Sequence, residues 1–145
     1  MISEVTLRPF EKEDLPFIFN SWLKSFKTSL LNRYIDDSRY FKYHHDVFES
    51  ILNRPTCVCL VAVSVKDPKQ IFGYIVTESR PSVVLLHWVY VKDAKRNQGI
   101  AKLLEAGVTV AGVPSAYTMF NKYNDKLNRE RKYHYFPYYI AISEL

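Results

Sequence analysis

The sequence lacks several features that would assign it quickly. It has two cysteines, Cys57 and Cys59. At that spacing on a strand they face the same way with poor geometry for bridging each other, so reduced thiols are expected rather than a disulfide scaffold. The pair has no nearby histidine pair and falls short of a zinc set, so no metal site is expected. No apolar run reaches membrane-spanning length, and no membrane span is expected. The start Met1-Ile2-Ser3-Glu4-Val5 has neither the basic opening nor the apolar stretch of a signal peptide, which makes a cytoplasmic location the expectation. The glycine pattern of a dinucleotide-binding turn is absent, and so is the Lys-Ser/Thr ending of a P-loop. Neither repeats nor low-complexity segments interrupt the chain, and no linker-like boundary is evident.

At 145 residues and 48% hydrophobic content the chain suits one domain, 1–145, with a single substantial core. Aromatics make up 15% of it, with eleven tyrosines, whose polar tips suit either a groove lining or the rim of a core. The net charge of +5 suits an anionic ligand and would equally suit nucleic acid. The cations are dispersed, with local clusters at Lys92-Lys95-Arg96 and Arg129-Arg131-Lys132, so the signal for a nucleic-acid tract is weak.

The chain is organised around the stretch from Val83 to Ala111. Val83-Val84-Leu85-Leu86-His87-Trp88-Val89-Tyr90-Val91 is apolar, β-branched and aromatic with no breaker, and reads as a buried strand. Ile100, Leu103 and Leu104 then fall on one helical face. Between them runs the basic loop Lys92-Asp93-Ala94-Lys95-Arg96-Asn97-Gln98-Gly99. A strand feeding a helix through such a loop presents backbone N–H groups where the helix dipole also favours negative charge, which is an anion site. Gly99 lets the backbone approach a ligand closely, and Arg96 offers a planar cation suited to phosphate oxygens.

Arg96-x-x-Gly99-x-Ala101, preceded by Val89-Tyr90-Val91 and followed by Ile100 and Leu103-Leu104, resembles the acetyl-CoA signature of the GNAT N-acetyltransferases. The opening Leu7-Arg8-Pro9-Phe10 followed by Asp14-Leu15-Pro16 is also similar to the first strand and helix of that family. The resemblance implies a GNAT-like mixed, mostly antiparallel sheet of about six strands with helices on both faces. It implies acetyl-CoA as cofactor, its pyrophosphate cradled by Arg96, Asn97, Gln98, Gly99, Ile100 and Ala101. The backbone of Trp88, Val89, Tyr90 and Val91 would hold the pantetheine arm, in a gap where the strands beside the central helix splay.

The other elements read as follows. Ser3 to Arg8 alternates as a first strand, and Asp14 can cap a helix carrying Phe17, Ile18, Trp22, Leu23 and Phe26 at helical spacing. A second helix runs from Ser38 through Leu52, ending before Pro55; the resemblance implies that this region shapes the acceptor pocket. Cys57–Val65 and Ile71–Glu78 form a hairpin across Lys66-Asp67-Pro68-Lys69-Gln70. After the central helix and a stop at Gly112-Val113-Pro114 come a strand from Ala116 to Phe120, a polar helix from Lys122 to Lys132 and a final strand from Tyr135 to Ser143. This alternation gives a mixed α/β sheet with helices on both faces.

Acetyl transfer to an amine needs a base, because an alkylammonium cannot attack. His87, within the central strand, is the first candidate, and a buried structural histidine is the alternative; Glu78 is a second base candidate. The resemblance places an acid, often a tyrosine, on the helix after the fifth strand. Here the sequence departs from the family: counting from Asn121 puts Asn128 at that place, and counting from Asn124 puts Arg131 there. Tyr123 and Tyr133 flank the helix, and Tyr133 is the candidate acid. Two functions follow: an acetyl-CoA-dependent N-acetyltransferase acting on a small-molecule or protein amine, or a non-catalytic GNAT-like module that binds a protein or nucleic acid. The tail from Tyr135 to Leu145 is a candidate homodimer contact.

Overall fold

The computed structural model describes residues 4–28, 30–120, 125 and 128–140. Its strands are β1 (Val5–Pro9), β2 (Cys57–Ser64), β3 (Ile71–Ser79), β4 (Val84–Val91), β5 (Ser115–Tyr117) and β6 (His134–Tyr135). They lie in that order in one six-stranded sheet. β1 to β4 are antiparallel neighbours, while β5 runs parallel to β4, and β6 parallel to β5. The hairpin across Lys66–Gln70 is present, with Gln70 N–H closing the turn on Asp67 O.

The helices α1 (Leu15–Lys27), α2 (Asp37–Leu52) and α3 (Ile100–Ala106) cover this sheet. On one face Ile18 and Trp22 of α1 and Tyr40, Phe48 and Ile51 of α2 pack on Val61, Tyr74, Val76 and Trp88. Trp22 and Phe48 stack with ring centres 3.7 Å apart, fastening α1 to α2. Buried tyrosine hydroxyls find partners there: Tyr40 donates to Leu23 O, and Tyr74 meets Ser21 Oγ. On the other face Ile100 and Leu104 of α3 pack on Ala62, Ile75 and Leu86. β3 is buried on both faces from Ile71 to Glu78, which is why its sequence shows no polar alternation until its end.

Some local expectations are corrected. Asp14 does not cap α1 through its side chain, because it already has helical dihedrals at the end of a 3-10 turn over Lys12–Asp14. Its carboxylate instead takes Arg8 Nη1 at 2.7 Å and Nη2 at 2.9 Å, and the Glu11 N–H at 2.7 Å. The cap of α2 is Asp36, whose side chain accepts the Arg39 N–H. α3 closes at Gly107, well before Gly112, and a side chain at 107 would come within 2.8 Å of Leu60 Cδ1.

Toward the C-terminus, β5 is three residues long rather than reaching Phe120. The final strand is two residues long, and a 3-10 turn follows over Pro137–Ile140 because proline cannot donate to a ladder. Of the polar helix, only residues 125 and 128–130 are described as helical. Its remainder up to 127, together with Asn121, Tyr123 and Asn124, and residues 141–145 of the tail lie outside the described residues. Among the described residues no helix is long and apolar enough to cross a membrane.

Candidate active site

β4 and β5 part company partway along their length. Their paired register covers Val84 to Leu86 only, with one further bond from Thr118 N–H to Leu86 O, whereas β4 remains paired to β3 as far as Val91. Lys92 N–H donates to Phe72 O, on the β3 side. By strand alternation the backbone groups of Val91 and Val89 turn to the opposite edge, toward the parting.

A bulge sits at the same level. The β3–β4 register steps from Val76↔Trp88 to Thr77↔Leu86, leaving His87 as the extra residue. The bulge sends His87 and Trp88 to the same face of the sheet, the one that α1 and α2 cover. A crevice of about 20 Å³, enough for one water-sized molecule, runs through the parting. Trp88 and Met119 wall it on the α1/α2 face, and Leu86, Val89, Tyr117 and Glu105 on the α3 face. His87 and Asn128 also line it.

His87 and Glu78, offered by the sequence as alternative bases, belong to one buried network. His87 Nε2 lies 2.5 Å from Glu78 Oε2, and Nδ1 lies 2.6 Å from Thr118 Oγ1. Glu78, fully buried, also accepts from Arg54 Nη1 at 2.8 Å, Thr56 Oγ1 at 2.6 Å and Arg80 Nη2 at 3.0 Å. Burial alone would raise its carboxyl, but the hydrogen bonds from His87 and Thr56, the His87 charge and the Arg80 bond outweigh it and hold Glu78 far below the ordinary carboxylate range. Burial pushes His87 down, and Glu78 only partly opposes it, while Arg54 and Arg80 add to the depression. An ionised carboxylate accepts only, so Nε2 carries the proton that faces Glu78, and neutral Nδ1 accepts from Thr118. Glu78 thus lies against His87 Nε2, placed to orient the imidazole.

Tyr133 is half-buried against the apolar cluster under α3, and the crevice walls do not include it. Burial and the nearby Glu105 charge raise its phenol. The polar side chains on that side of the crevice are Glu105 and Asn128. Sequence reasoning missed Glu105 and Thr118. The one available signal for Glu105 was its place beside the buried Leu104 in the helix; Thr118 gave none.

The loop that opens α3 has left-handed backbone at Asn97 (φ 63°) and Gly99 (φ 83°). Gly99 directly precedes the first helical residue, Ile100. Such turns aim successive N–H groups into one concavity. Arg96 is engaged with the loop itself: Nε donates to Val91 O at 3.0 Å and Nη1 pairs with Asp93. Lys95 and Lys92 lie over the rings of Phe72 and Phe17. Among the described residues no group of His, Cys, Asp and Glu is placed to hold a metal ion.

No sequence-family profile and no curated protein matches this chain. Solved structures do. The PaiA N-acetyltransferase of Thermoplasma acidophilum, in complex with coenzyme A, superposes with a TM-score of 0.62 at 15% identity, covering 88% of this chain and 87% of that one. Arabidopsis thaliana NAA60, in complex with a bisubstrate analogue, gives 0.59 at 17% identity over 88% and 81%. A GNAT-family protein from Desulfovibrio desulfuricans gives 0.56 at 14% identity over 88% and 82%. With its mostly antiparallel six-stranded sheet, its helices on both faces and its parting of β4 from β5, the chain has the fold of the GNAT N-acetyltransferases.

Proposed function

We propose that this chain is an acetyl-CoA-dependent N-acetyltransferase that passes an acetyl group to a primary amine by direct attack on the thioester. The observation that carries this reading is the crevice through the parting of β4 and β5, with a buried imidazole on one face and Glu105 of α3 on the other. Two of the structures it resembles were solved with coenzyme A or a bisubstrate analogue, which supports the reading.

The residues fit the cofactor. Left-handed Asn97 and Gly99, with the N–H groups of Ile100 and Ala101, offer donors to a diphosphate, and Lys92, Lys95 and Lys102 surround the loop with positive charge. The edge from Trp88 to Val91 would take the pantetheine arm. Acetyl-CoA, when bound, supplies an activated acyl group on a thiol leaving group.

The acceptor is a cation until it loses a proton, since alkylammonium groups have pKa values of about 10.4. His87 takes that proton at Nδ1, the nitrogen that Thr118 now holds, and keeps its Nε2 proton on Glu78. Glu78 balances the imidazolium that results. The depressed basicity of His87 keeps it neutral and ready at neutral pH.

The test has two arms. Acetyl-CoA at 100 times its Kd should stabilise the native protein by about 2.7 kcal/mol, read as a rise in Tm. Thiol release should follow with at least one of spermidine, lysine, an aminoglycoside or a peptide with a free N-terminus. No shift at millimolar acetyl-CoA would overturn the proposal. A shift with background thiol release over all four acceptors would favour the binding-module reading.

A further inference from the structure

We infer that Glu105, set in the α3 wall of the crevice, is the residue that gives a proton to the departing thiol; the inference rests on the acetyl-transfer reading above. Glu105 is 4% exposed and lines the crevice on the face opposite to the one that holds the His87 ring. A reaction carried through the sheet would thus meet a proton acceptor on one side and a carboxyl on the other. The tyrosine that the sequence suggested for this task is packed elsewhere, within the apolar cluster under α3.

Burying a carboxyl in the wall of a mostly apolar crevice favours its neutral form, the one that can donate. Its surroundings qualify that without reversing it. Arg131 Nη1 lies 2.8 Å from Oε2, yet neither atom has a hydrogen-bond partner of proper geometry, so the contact is one of charge. Lys102, on the same helix, adds a second positive charge, and the Tyr133 phenol feels the Glu105 carboxylate. Asn128, buried and also lining the crevice, contributes a neutral amide. Burial prevails over both cations and leaves Glu105 above the ordinary carboxylate range.

The step balances. As the amine nitrogen forms its bond to the acyl carbon, the carbon–sulfur bond breaks and its electron pair goes to sulfur. Glu105 passes its O–H proton to that sulfur, and the carboxylate left behind is met by Arg131. His87 holds the proton that the ammonium lost before attack. The second N–H proton, shed as the amide forms, is released to water, and His87 and Glu105 reset by exchange with water.

Glu105→Gln keeps the shape and removes the acid. With acetyl-CoA and whichever of the four acceptors turns over, kcat should fall by about 10²-fold or more. The KM for acetyl-CoA should stay within about two-fold, since binding is left intact. The wild-type kcat should decline on its alkaline side, and that decline should be absent in Glu105→Gln. An aryl thioester, whose thiol leaves as a weak base, should restore the variant to near wild-type rate. In the protein without acetyl-CoA, ¹³C-carboxyl NMR of glutamate-labelled material should show a signal, lost in Glu105→Gln, titrating above the usual value of about 4.3. Arg131→Met should raise that midpoint further. A midpoint at or below the usual value, or unchanged kcat with an unchanged pH profile in Glu105→Gln, would overturn the inference alone. A wild type that neither binds acetyl-CoA nor turns over would take down the acetyl-transfer reading and the inference with it.

Discussion

Replacing Glu78 with glutamine should destabilise the protein by roughly 3–5 kcal/mol, the cost of leaving buried charge uncompensated. The figure can be worked from the contacts. Glutamine has nearly the same volume, so no cavity opens and the whole effect is polar. Oε2 takes Arg54 and His87, and Oε1 takes Thr56 and Arg80. Whichever oxygen becomes the amide nitrogen, one arginine, Arg54 or Arg80, then faces another donor, and the other keeps its contact but loses the charge that neutralised it. Hydrogen bonds to charged groups contribute about 1.5–3 kcal/mol each, so two of them reach the same range. The Arg80 side chain is 1% exposed, so water cannot take the place of the lost charge. Urea unfolding followed by circular dichroism should show a lower midpoint with an unchanged slope. Arg80→Met in the Glu78→Gln background should cost less than the sum of the two single changes by about 1–3 kcal/mol, because it removes one of the stranded charges. A loss below about 1 kcal/mol for Glu78→Gln, or strict additivity in the double variant, would refute the account of Glu78 as the anion that neutralises this cluster.

Stability should fall on acidification in two stages. His87 titrates below its ordinary 6.5 in the folded chain, so under pH 6.5 the unfolded chain binds more protons and stability drops as pH falls. Glu78, held below its ordinary 4.5, adds a second loss under pH 4.5, where only the unfolded carboxyl takes up a proton. Urea midpoints from pH 8 to 4 would trace both stages, and a flat line from pH 7 to 5 would contradict the His87 part. Gly73→Ala should cost about 1–3 kcal/mol, because its Cβ would lie 2.4 Å from Tyr90 O and force β3 from β4; an unchanged denaturation midpoint would count against the close approach. Burial pushes the Cys57 thiol up to about 12 and Cys59 well above its ordinary value. The native protein should therefore react slowly with a disulfide reagent at pH 8, and a fast thiol would show that the strand is more open than described.

The sequence by itself determined the elements and the loop. β-branched and aromatic runs marked β2, β3 and β4, the spacing of Ile18, Trp22 and Phe26 marked α1, and Lys66–Gln70 marked the hairpin turn, because each depends on neighbours within a few residues. The turn at Gly99 was legible for the same reason, since left-handed backbone favours glycine there. Ends were harder to read: β5 and β6 are shorter than their patterns suggest, β5 ending where its pairing with β4 stops and β6 ahead of Pro137, and α3 ends at Gly107.

What only the tertiary structure decided is how distant residues meet. A one-residue bulge turned His87 onto the face of Trp88, where Glu78 awaits it with Arg54, far off in sequence, and where Thr118 closes the other side. The docking of α3 made a charged residue in its last turn part of a crevice wall, and the same packing kept Tyr133 out of it. Strand register and helix docking are settled by the whole core at once, since shifting a pairing by one residue exchanges the faces of every side chain in that strand. Local patterns hold no record of that choice.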